Sequence, residues 1–198
     1  MKRKLWLSVL CSAVLLVMLT GSAAADEALF FTVDNQTWEV ILPAEYLPYT
    51  TELGKNSPLL QVSGASQADM DRYMASLGCS VCCVNVYCGH QFWLSVKDQS
   101  AGLGRVRAGQ SLPKEIVKSY LDGTTVSRGD YTTETYGGRE YYIFANGQSI
   151  NEGGISYRLS TFVGHYEVML RWESGTGTRT ADDIEMLKTI FRSVMPVQ

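Results

Sequence analysis

Four cysteines fall within ten residues near the middle of the chain, and a histidine follows them. They are Cys79, Cys82, Cys83, Cys88 and His90. The thiolate form of cysteine is both a nucleophile and a metal ligand. Two residues separate Cys79 from Cys82, which is the spacing of a redox dithiol or of half a zinc site. This pair is therefore the candidate for a disulfide, a thiol site or a metal site.

Local geometry limits what these cysteines can do together. Val84 and Val86 alternate with more polar residues, which predicts a strand over Cys82–Cys88. Six steps of about 3.3 Å separate the ends of such a strand by roughly 20 Å, whereas the Cα atoms of a disulfide lie within about 7 Å. A bridge between Cys79 and Cys82 remains open, and the alternative is that the cysteines are small, buried core residues.

Two arginines form a candidate anion-binding site. If Gly164-His165 is a two-residue hairpin turn, Arg158 lies directly opposite Arg171 on the outer face of the hairpin. Like charges across a strand pair are unfavourable unless a negative group joins them. An external anion could supply that charge, and ordinary salt bridges with Glu167 or Glu173 are the alternative.

Tyrosines crowd another predicted hairpin and form a possible aromatic platform. They are Tyr131, Tyr136, Tyr141 and Tyr142. Such aromatic density can bind a sugar or a peptide, but tyrosine is also a good strand former.

The remaining residues give no catalytic signature. His90 and His165 each follow a glycine at a predicted hairpin tip, where we expect a solvated side chain. No serine lies in a nucleophile-elbow motif, and Gly102-Leu103-Gly104 lacks the third glycine of a dinucleotide-binding loop. We therefore predict no enzyme activity, no catalytic or metal-ligating residue and no cofactor.

The first 25 residues have the features of a cleaved export signal. Lys2, Arg3 and Lys4 precede an apolar run over Leu5–Leu19, and small residues follow at Gly21–Ala25. The run is shorter than the roughly 20 residues of a membrane-spanning helix. We expect a mature chain of residues 26–198 that forms a single α+β domain and is secreted or held in the periplasm or cell envelope.

The net charge of the predicted mature chain limits the kinds of partner that we expect it to bind. The predicted mature chain keeps 14 of the 17 basic residues and all 20 acidic ones, a net charge of −6. This acidic balance disfavours nucleic acid and anionic lipid as partners. The mature chain contains no apolar run long enough to span a membrane.

Three segments have helical periodicity and capping residues. Ser66 and Asp69 begin the first, which ends at Gly78. The second runs over Leu112–Leu121 with Pro113 at its start, and it is expected to end before Gly123. The third begins with a Thr180/Asp183 capping box and continues to Val194. All three are amphipathic, so we expect them to pack on a sheet.

Between the helices the apolar pattern has a period of two, which predicts strands joined by tight turns. Asp34-Asn35-Gln36, Gly137-Gly138, Asn146-Gly147 and Gly164-His165 are the predicted turns, and Gln148–Ile150 follows as a short strand. A long loop is expected at Pro43–Pro58, and shorter loops are expected at Asn151–Gly154 and Ser174–Arg179. Tight turns require antiparallel neighbours, so the predicted fold is α+β with a mostly antiparallel β-sheet and three amphipathic helices packed on it.

The order of these elements resembles the exported PsbP/DcrB-like domains. The resemblance rests on Thr37–Pro43, the middle helix over Leu112–Leu121, the closing hairpin and a final helix that ends with Ile190–Val194. It implies a PsbP-like sandwich with an accessory or binding role. That family shares no catalytic apparatus, so the resemblance supplies no site residue.

Two functional hypotheses follow. The first is an exported, non-enzymatic accessory or binding domain whose partner is an envelope or extracellular protein or a glycan. The alternative is an extracytoplasmic thiol or metal-binding protein that uses the region of Cys79 and Cys82.

Overall fold

The structure is a computed structural model that describes residues 26–107, 110–128, 130–144 and 156–197. The predicted export signal, the predicted turn at Asn146-Gly147, the strand predicted at Gln148–Ile150 and the loop predicted at Asn151–Gly154 lie outside the described residues. No helix in these ranges has the length and apolarity needed to span a bilayer.

A seven-stranded sheet forms the centre of the molecule. Its strands are β3 (Tyr46–Tyr49), β4 (Val81–Asn85), β5 (Gln91–Asp98), β6 (Tyr131–Tyr136), β7 (Arg139–Phe144), β8 (Ser156–Val163) and β9 (Tyr166–Glu173). Their order across the sheet is β3-β4-β5-β9-β8-β7-β6. Each neighbouring pair is antiparallel. The predicted α+β class with a mostly antiparallel sheet is confirmed.

The closing hairpin has the predicted register. Leu159 pairs with Leu170, Tyr157 pairs with Trp172, and Gly164 has a φ of 60° in the two-residue turn. A positive φ favours glycine because it has no Cβ. The register places alternate side chains of β8 and β9 on the same two faces of the sheet.

A second, three-stranded sheet covers one face of the large sheet. It consists of β1 (Glu27–Val33), β2 (Gln36–Leu42) and β10 (Met195–Pro196), in the order β1-β2-β10. Asp34 and Asn35 both have positive φ in the predicted turn between β1 and β2, as a type I′ turn requires. The short strand β10 was not predicted, and it pairs with β2.

Five helices pack around the sheets in the described part of the chain. They are α1 (Pro58–Ser63), α2 (Gln67–Leu77), α3 (Ser100–Leu103), α4 (Lys114–Arg128) and α5 (Ala181–Arg192). The Ser66 hydroxyl caps α2 by accepting from the Asp69 amide, and Gly78 ends the helix in a left-handed conformation. The predicted Thr180/Asp183 capping box is present at the start of α5.

Two local predictions are wrong. Helix α4 does not end before Gly123 but continues to Arg128, because Gly123 adopts no left-handed conformation and does not act as a C-cap. The segment Pro43–Pro58 is also not a plain loop. It contains β3, which pairs with β4, and a short 3-10 helix at Gly54–Asn56.

The large sheet is buried on both faces, but by different layers. Its inner face packs on β1, β2 and α5 in one core that includes Trp38, Trp172 and Phe191. On the outer face, α1 and α2 cover β4 and the Trp93 position of β5. Helix α4 covers β7 at the other end of the sheet. The outer face of β5, β9 and β8 therefore lies between two helical layers.

Candidate functional site

The outer face between α2 and α4 carries a strip of polar and sulfur-containing side chains, which we call the central strip. Its residues come from β5, β9 and β8. Strand pairing aligns Trp93, Arg171 and Arg158 in one row and Ser95, Met169 and Ser160 in the next. Residues in register on neighbouring strands lie side by side on one face. The sheet thus sets the spacing of the row.

A shallow depression lies where the central strip meets the end of α2. Its volume is about 40 Å³, and its lining residues are Leu77, Cys79, Trp93, Ser95, Met169 and Arg171. The depression brings together one residue of the predicted thiol pair and one of the predicted arginine pair. In the sequence these two residues belong to two separate candidate sites.

The two arginines lie opposite each other, as predicted, but they differ in burial. Arg158 pairs in register with Arg171. Arg158 is 6% exposed, whereas Arg171 is half-buried at the wall of the depression. Within the described ranges, the Arg171 side chain has no hydrogen-bond or salt-bridge partner.

Glu167, one of the two glutamates considered as salt-bridge partners, makes three hydrogen bonds to uncharged side chains. Glu167 is 1% exposed and accepts hydrogen bonds from Gln99 Nε2 and the Tyr120 hydroxyl, both at 3.0 Å. Its other oxygen accepts from the Ser160 hydroxyl at 2.9 Å. These contacts fix the carboxylate between β8, β9 and α4, so Glu167 is held at one end of the central strip.

The two residues of the predicted thiol pair lie on the same face of the sheet. Cys79 is half-buried in the turn between α2 and β4, and Cys82 is buried in β4 within the same apolar cluster. Burial raises the pKa of Cys79 to about 12, although the positive charges of Arg171 and Lys97 act in the opposite direction. Burial also raises the pKa of Cys82 well above its ordinary value. Both are free thiols in the structure.

The other two cysteines lie apart from this pair. Cys83 faces the inner core, and its pKa is raised well above the ordinary value by burial. The prediction of a strand over Cys82–Cys88 is wrong in extent, because β4 ends at Asn85 and Cys88 lies in the following turn. The Asn85 side chain accepts from the amides of Tyr87 and Cys88 and thereby ends the strand.

His90 is buried, which corrects the expectation of a solvated hairpin tip. It is 6% exposed and packs edge-on against Trp172, with the ring centroids 5.0 Å apart. Its Nε2 lies 3.4 Å from the Thr176 hydroxyl, and its Nδ1 lies 3.7 Å from an Asp183 carboxylate oxygen. Burial lowers the pKa of His90, and the Asp183 charge partly opposes this shift. The ring thus joins the turn before β5 to the segment after β9 and to α5.

His165 lies in the turn between β8 and β9, as predicted. Its ring stacks on Tyr166, and its Nε2 lies 3.9 Å from an Asp98 oxygen. Its side chain is only 18% exposed. His165 and His90 lie in turns at opposite ends of β5 and β9, so the structure does not bring them together.

The four candidate platform tyrosines lie on different surfaces. Tyr141 belongs to the inner core, and Tyr142 packs in the cluster under α4. Tyr131 is half-buried against Tyr142 and Phe144. Only Tyr136 among the four is exposed by more than half, at 58%. Strand alternation separates consecutive tyrosines in this way.

Four lining residues of the depression were not predicted as site residues, and neither was Met74, which lies next to Cys79. The four are Leu77, Trp93, Ser95 and Met169. Met74 contacts the Cys79 sulfur, while Trp93 and Met169 line the depression. Met74 belongs to the predicted apolar stripe of α2, but nothing local indicates that this stripe meets the cysteine pair. No three His, Cys, Asp or Glu side chains of the described residues form a metal-binding group.

The chain has a structural likeness to a solved PsbP protein. No protein-family model matches the chain, and no curated protein matches it. It is similar to the solution structure of cyanobacterial PsbP (CyanoP) from Synechocystis sp. PCC 6803, with a TM-score of 0.41 and 11% identity. The match covers 91% of this chain and 99% of the other.

Proposed function

We propose that the protein is an exported, non-enzymatic binding domain that holds an acidic side chain of a partner protein against Arg171. The proposal rests on the position of the Arg171 guanidinium and on its lack of an ion-pair partner in the described part of the chain. The guanidinium is half-buried at the wall of the depression and lies in register with Arg158. The export signal predicted for residues 1–25 supports a location outside the cytoplasm.

Electrostatics favour an anion at this position. The Arg171 guanidinium has no acidic partner in the described part of the chain, and a carboxylate placed against it supplies the opposite charge. A hydrogen bond to a charged group contributes about 1.5–3 kcal/mol. A guanidinium can also bind both oxygens of one carboxylate in a planar, bidentate arrangement. Arg171 is therefore the primary contact, and Arg158 adds positive charge beside it.

The small volume of the depression favours a single side chain, rather than a whole small molecule, as its occupant. Ligand cavities usually measure about 300–1,000 Å³, whereas the depression measures about 40 Å³. Its apolar wall of Leu77, Trp93 and Met169 is suited to the methylene groups of a glutamate. Tryptophan, methionine and arginine are also enriched in protein interfaces. These features favour a protein partner that inserts an acidic side chain.

The proposal can be tested with N-acetylglutamate as a minimal probe. The chain from residue 26 contains three tryptophans, Trp38, Trp93 and Trp172, so selective labelling gives three indole N–H signals in an NMR spectrum. Trp93→Phe identifies the Trp93 signal. We expect N-acetylglutamate to shift this signal more than the other two, because only Trp93 lines the depression.

Two charge-matched variants decide the result. Arg171→Gln should weaken the binding of N-acetylglutamate by about tenfold or more, which corresponds to the loss of a charged hydrogen bond. Arg105→Gln removes the same charge from an exposed position away from the depression and should leave the affinity unchanged. Equal affinities for the two variants, or an unshifted Trp93 signal in the unmodified protein, would contradict the proposal.

A further inference from the structure

The outer face of the small sheet is an exposed, mostly apolar surface, which we call the small-sheet face. Side chains alternate along the strands of this sheet, so that every second one packs in the inner core and the others point away from it. The small-sheet face consists of outward-pointing residues of β1 and β2 and of the segment after α5. They are Ala28, Phe30, Glu39, Ile41, Met195 and Val197. Phe30 is 52% exposed, and Met195 is 50% exposed.

Most of the exposed large apolar side chains in the described part of the chain lie on this one face. Seven such side chains are exposed among the described residues, and four of them belong to the small-sheet face: Phe30, Ile41, Met195 and Val197. A single exposed apolar residue is ordinary in a soluble protein, whereas a contiguous patch marks an interaction site. Strand pairing makes this patch contiguous, because Phe30, Glu39 and Met195 lie side by side in one row across the three strands.

The centre of the small-sheet face holds a carboxylate. Glu39 is half-buried between Phe30 on β1 and Met195 on β10. Within the described ranges its side chain makes no hydrogen bond or salt bridge. A partner that covers the apolar residues also removes water from this carboxylate. Because burying a charge is costly unless an opposite charge pairs with it, the partner must bring a basic side chain to Glu39.

The chain around this face is uniformly acidic. All six charged side chains between residues 26 and 54 are acidic, and β1, β2 and β10 contain no lysine or arginine. One of the six, Glu52, accepts a hydrogen bond from the Thr32 amide of the edge strand β1 at 2.8 Å. A second copy of this chain docked through the same face would place two Glu39 carboxylates in one interface, and an anionic membrane would also oppose like charge. A basic protein surface is the complementary partner.

We propose that the small-sheet face docks an amphipathic helix of a partner protein, and that one lysine or arginine in the apolar stripe of this helix pairs with Glu39. Alternate residues of a strand lie about 6.6 Å apart, and residues four apart in a helix lie about 6 Å apart along its axis. A helix of about 10 Å diameter also covers the two strand spacings of about 4.8 Å from Phe30 to Met195. This surface goes beyond the proposed function, because Arg171 lies on the opposite side of the large sheet.

The test uses a synthetic helical peptide as the probe. It carries leucines along one face, a single lysine in the middle of that face and uncharged side chains elsewhere. The chain from residue 26 is titrated into the fluorescently labelled peptide, and fluorescence anisotropy measures the affinity. A matched peptide with glutamate in place of the lysine should bind at least about tenfold more weakly, because it opposes like charges. Equal binding of the two peptides, or binding of neither, would contradict the proposal.

Charge reversal tests the pairing with Glu39 directly. Glu39→Lys should reverse the preference, so that the glutamate peptide binds at least about tenfold more tightly than the lysine peptide. Glu115→Lys makes the same change of charge at an exposed position on α4 and should keep the preference for lysine. Circular dichroism checks that each variant is folded. The same preference in Glu39→Lys as in Glu115→Lys would overturn the proposal.

A second variant tests the apolar part of the face and separates the other possible occupants. Phe30→Thr keeps a residue suited to a strand and should weaken binding of the lysine peptide by roughly fivefold or more, because less apolar area is buried. Unchanged affinity would place the peptide elsewhere and refute the proposed surface. So would self-association in analytical ultracentrifugation, or flotation with phosphatidylcholine vesicles, if Phe30→Thr abolished it, since the occupant would then be a second copy or a lipid surface.

Discussion

The segment after β9 packs so closely on the turn before β5 that a single methyl group should disrupt it. A Cβ added to Gly175 would lie 2.4 Å from the carbonyl oxygen of Cys88 and 2.4 Å from the carbonyl carbon of Gly89. The φ of Gly175 is not in the left-handed region, so alanine meets no intrinsic backbone penalty there. The whole effect of Gly175→Ala should therefore come from the clash.

The clash sets the expected magnitude. Cβ atoms in proteins do not approach other heavy atoms closer than 3.0 Å, so the two backbone segments must separate by at least 0.6 Å. Overpacking of this kind usually costs about 1–3 kcal/mol. Both contacts are with backbone atoms, which cannot rotate away, so we expect the upper end, about 3 kcal/mol. For a protein of this size that lowers the Tm by roughly 6–12 °C.

The assay is thermal unfolding followed by circular dichroism, with Gly102→Ala as the matched control. Gly102 lies in α3, has no atom within 4 Å of an added Cβ and no left-handed φ. Its replacement should leave stability unchanged or raise it by up to about 1 kcal/mol, because alanine has the higher helix propensity. If Gly175→Ala unfolds at the same temperature as Gly102→Ala, the close packing of this segment on the turn is refuted.

Two further perturbations test the buried polar groups. Burial lowers the pKa of His90 below its ordinary value of 6.5, so the folded state binds this proton less tightly than the unfolded state. The free energy of unfolding should therefore decrease as the pH falls through 6.5 and level off below the folded-state pKa. His90→Gln should reduce this slope in pH-dependent denaturation, and an unchanged slope would exclude His90 as its source. Glu167→Ala removes the acceptor of the hydroxyls of Ser160 and Tyr120 and should lower stability by at least about 2 kcal/mol. A loss below about 0.5 kcal/mol in urea denaturation would show that this network contributes little.

Sequence patterns correctly predicted the elements that are stabilised by contacts between residues close together in the sequence. The register of β8 and β9 follows from one two-residue turn and the alternation of apolar residues, and it agrees with the structure over the whole hairpin. The capping of α2 by Ser66 and of α5 by Thr180 involves partners three residues away. Such contacts can be identified from sequence because few alternative geometries satisfy them.

Predictions failed where a distant segment decides the outcome. His90 looks like a solvated turn residue, but Trp172 and Thr176 cover it from a part of the chain more than eighty residues away. The segment Tyr46–Tyr49 contains Pro48, which argues against a central strand. Among the described residues it is an edge strand that pairs with β4, and a proline is tolerated in an edge strand.

At the candidate site too, the local contact was predicted from the sequence and the distant contact was not. The hairpin register alone places Arg158 opposite Arg171, and the sequence predicted that pair. Cys79 and Arg171 meet because the strand order is β4-β5-β9. In this order β5 and β9 are neighbours, although α3, α4, β6, β7 and β8 lie between them in sequence. Nothing in the local periodicity specifies that order, so the depression could not be predicted from sequence.

The small sheet couples the two ends of the described chain, and this has a consequence for how the molecule assembles. The Ile41 amide donates to the Ser193 hydroxyl across 152 residues of sequence, and β10 pairs with β2. During synthesis, β1 and β2 emerge early but lack their third strand until the end of α5 has been made. Contacts of such long sequence separation form slowly, because the loop between them must close first. A nascent chain halted before residue 195 would thus expose the β2 edge, leaving it free to pair with a neighbouring chain.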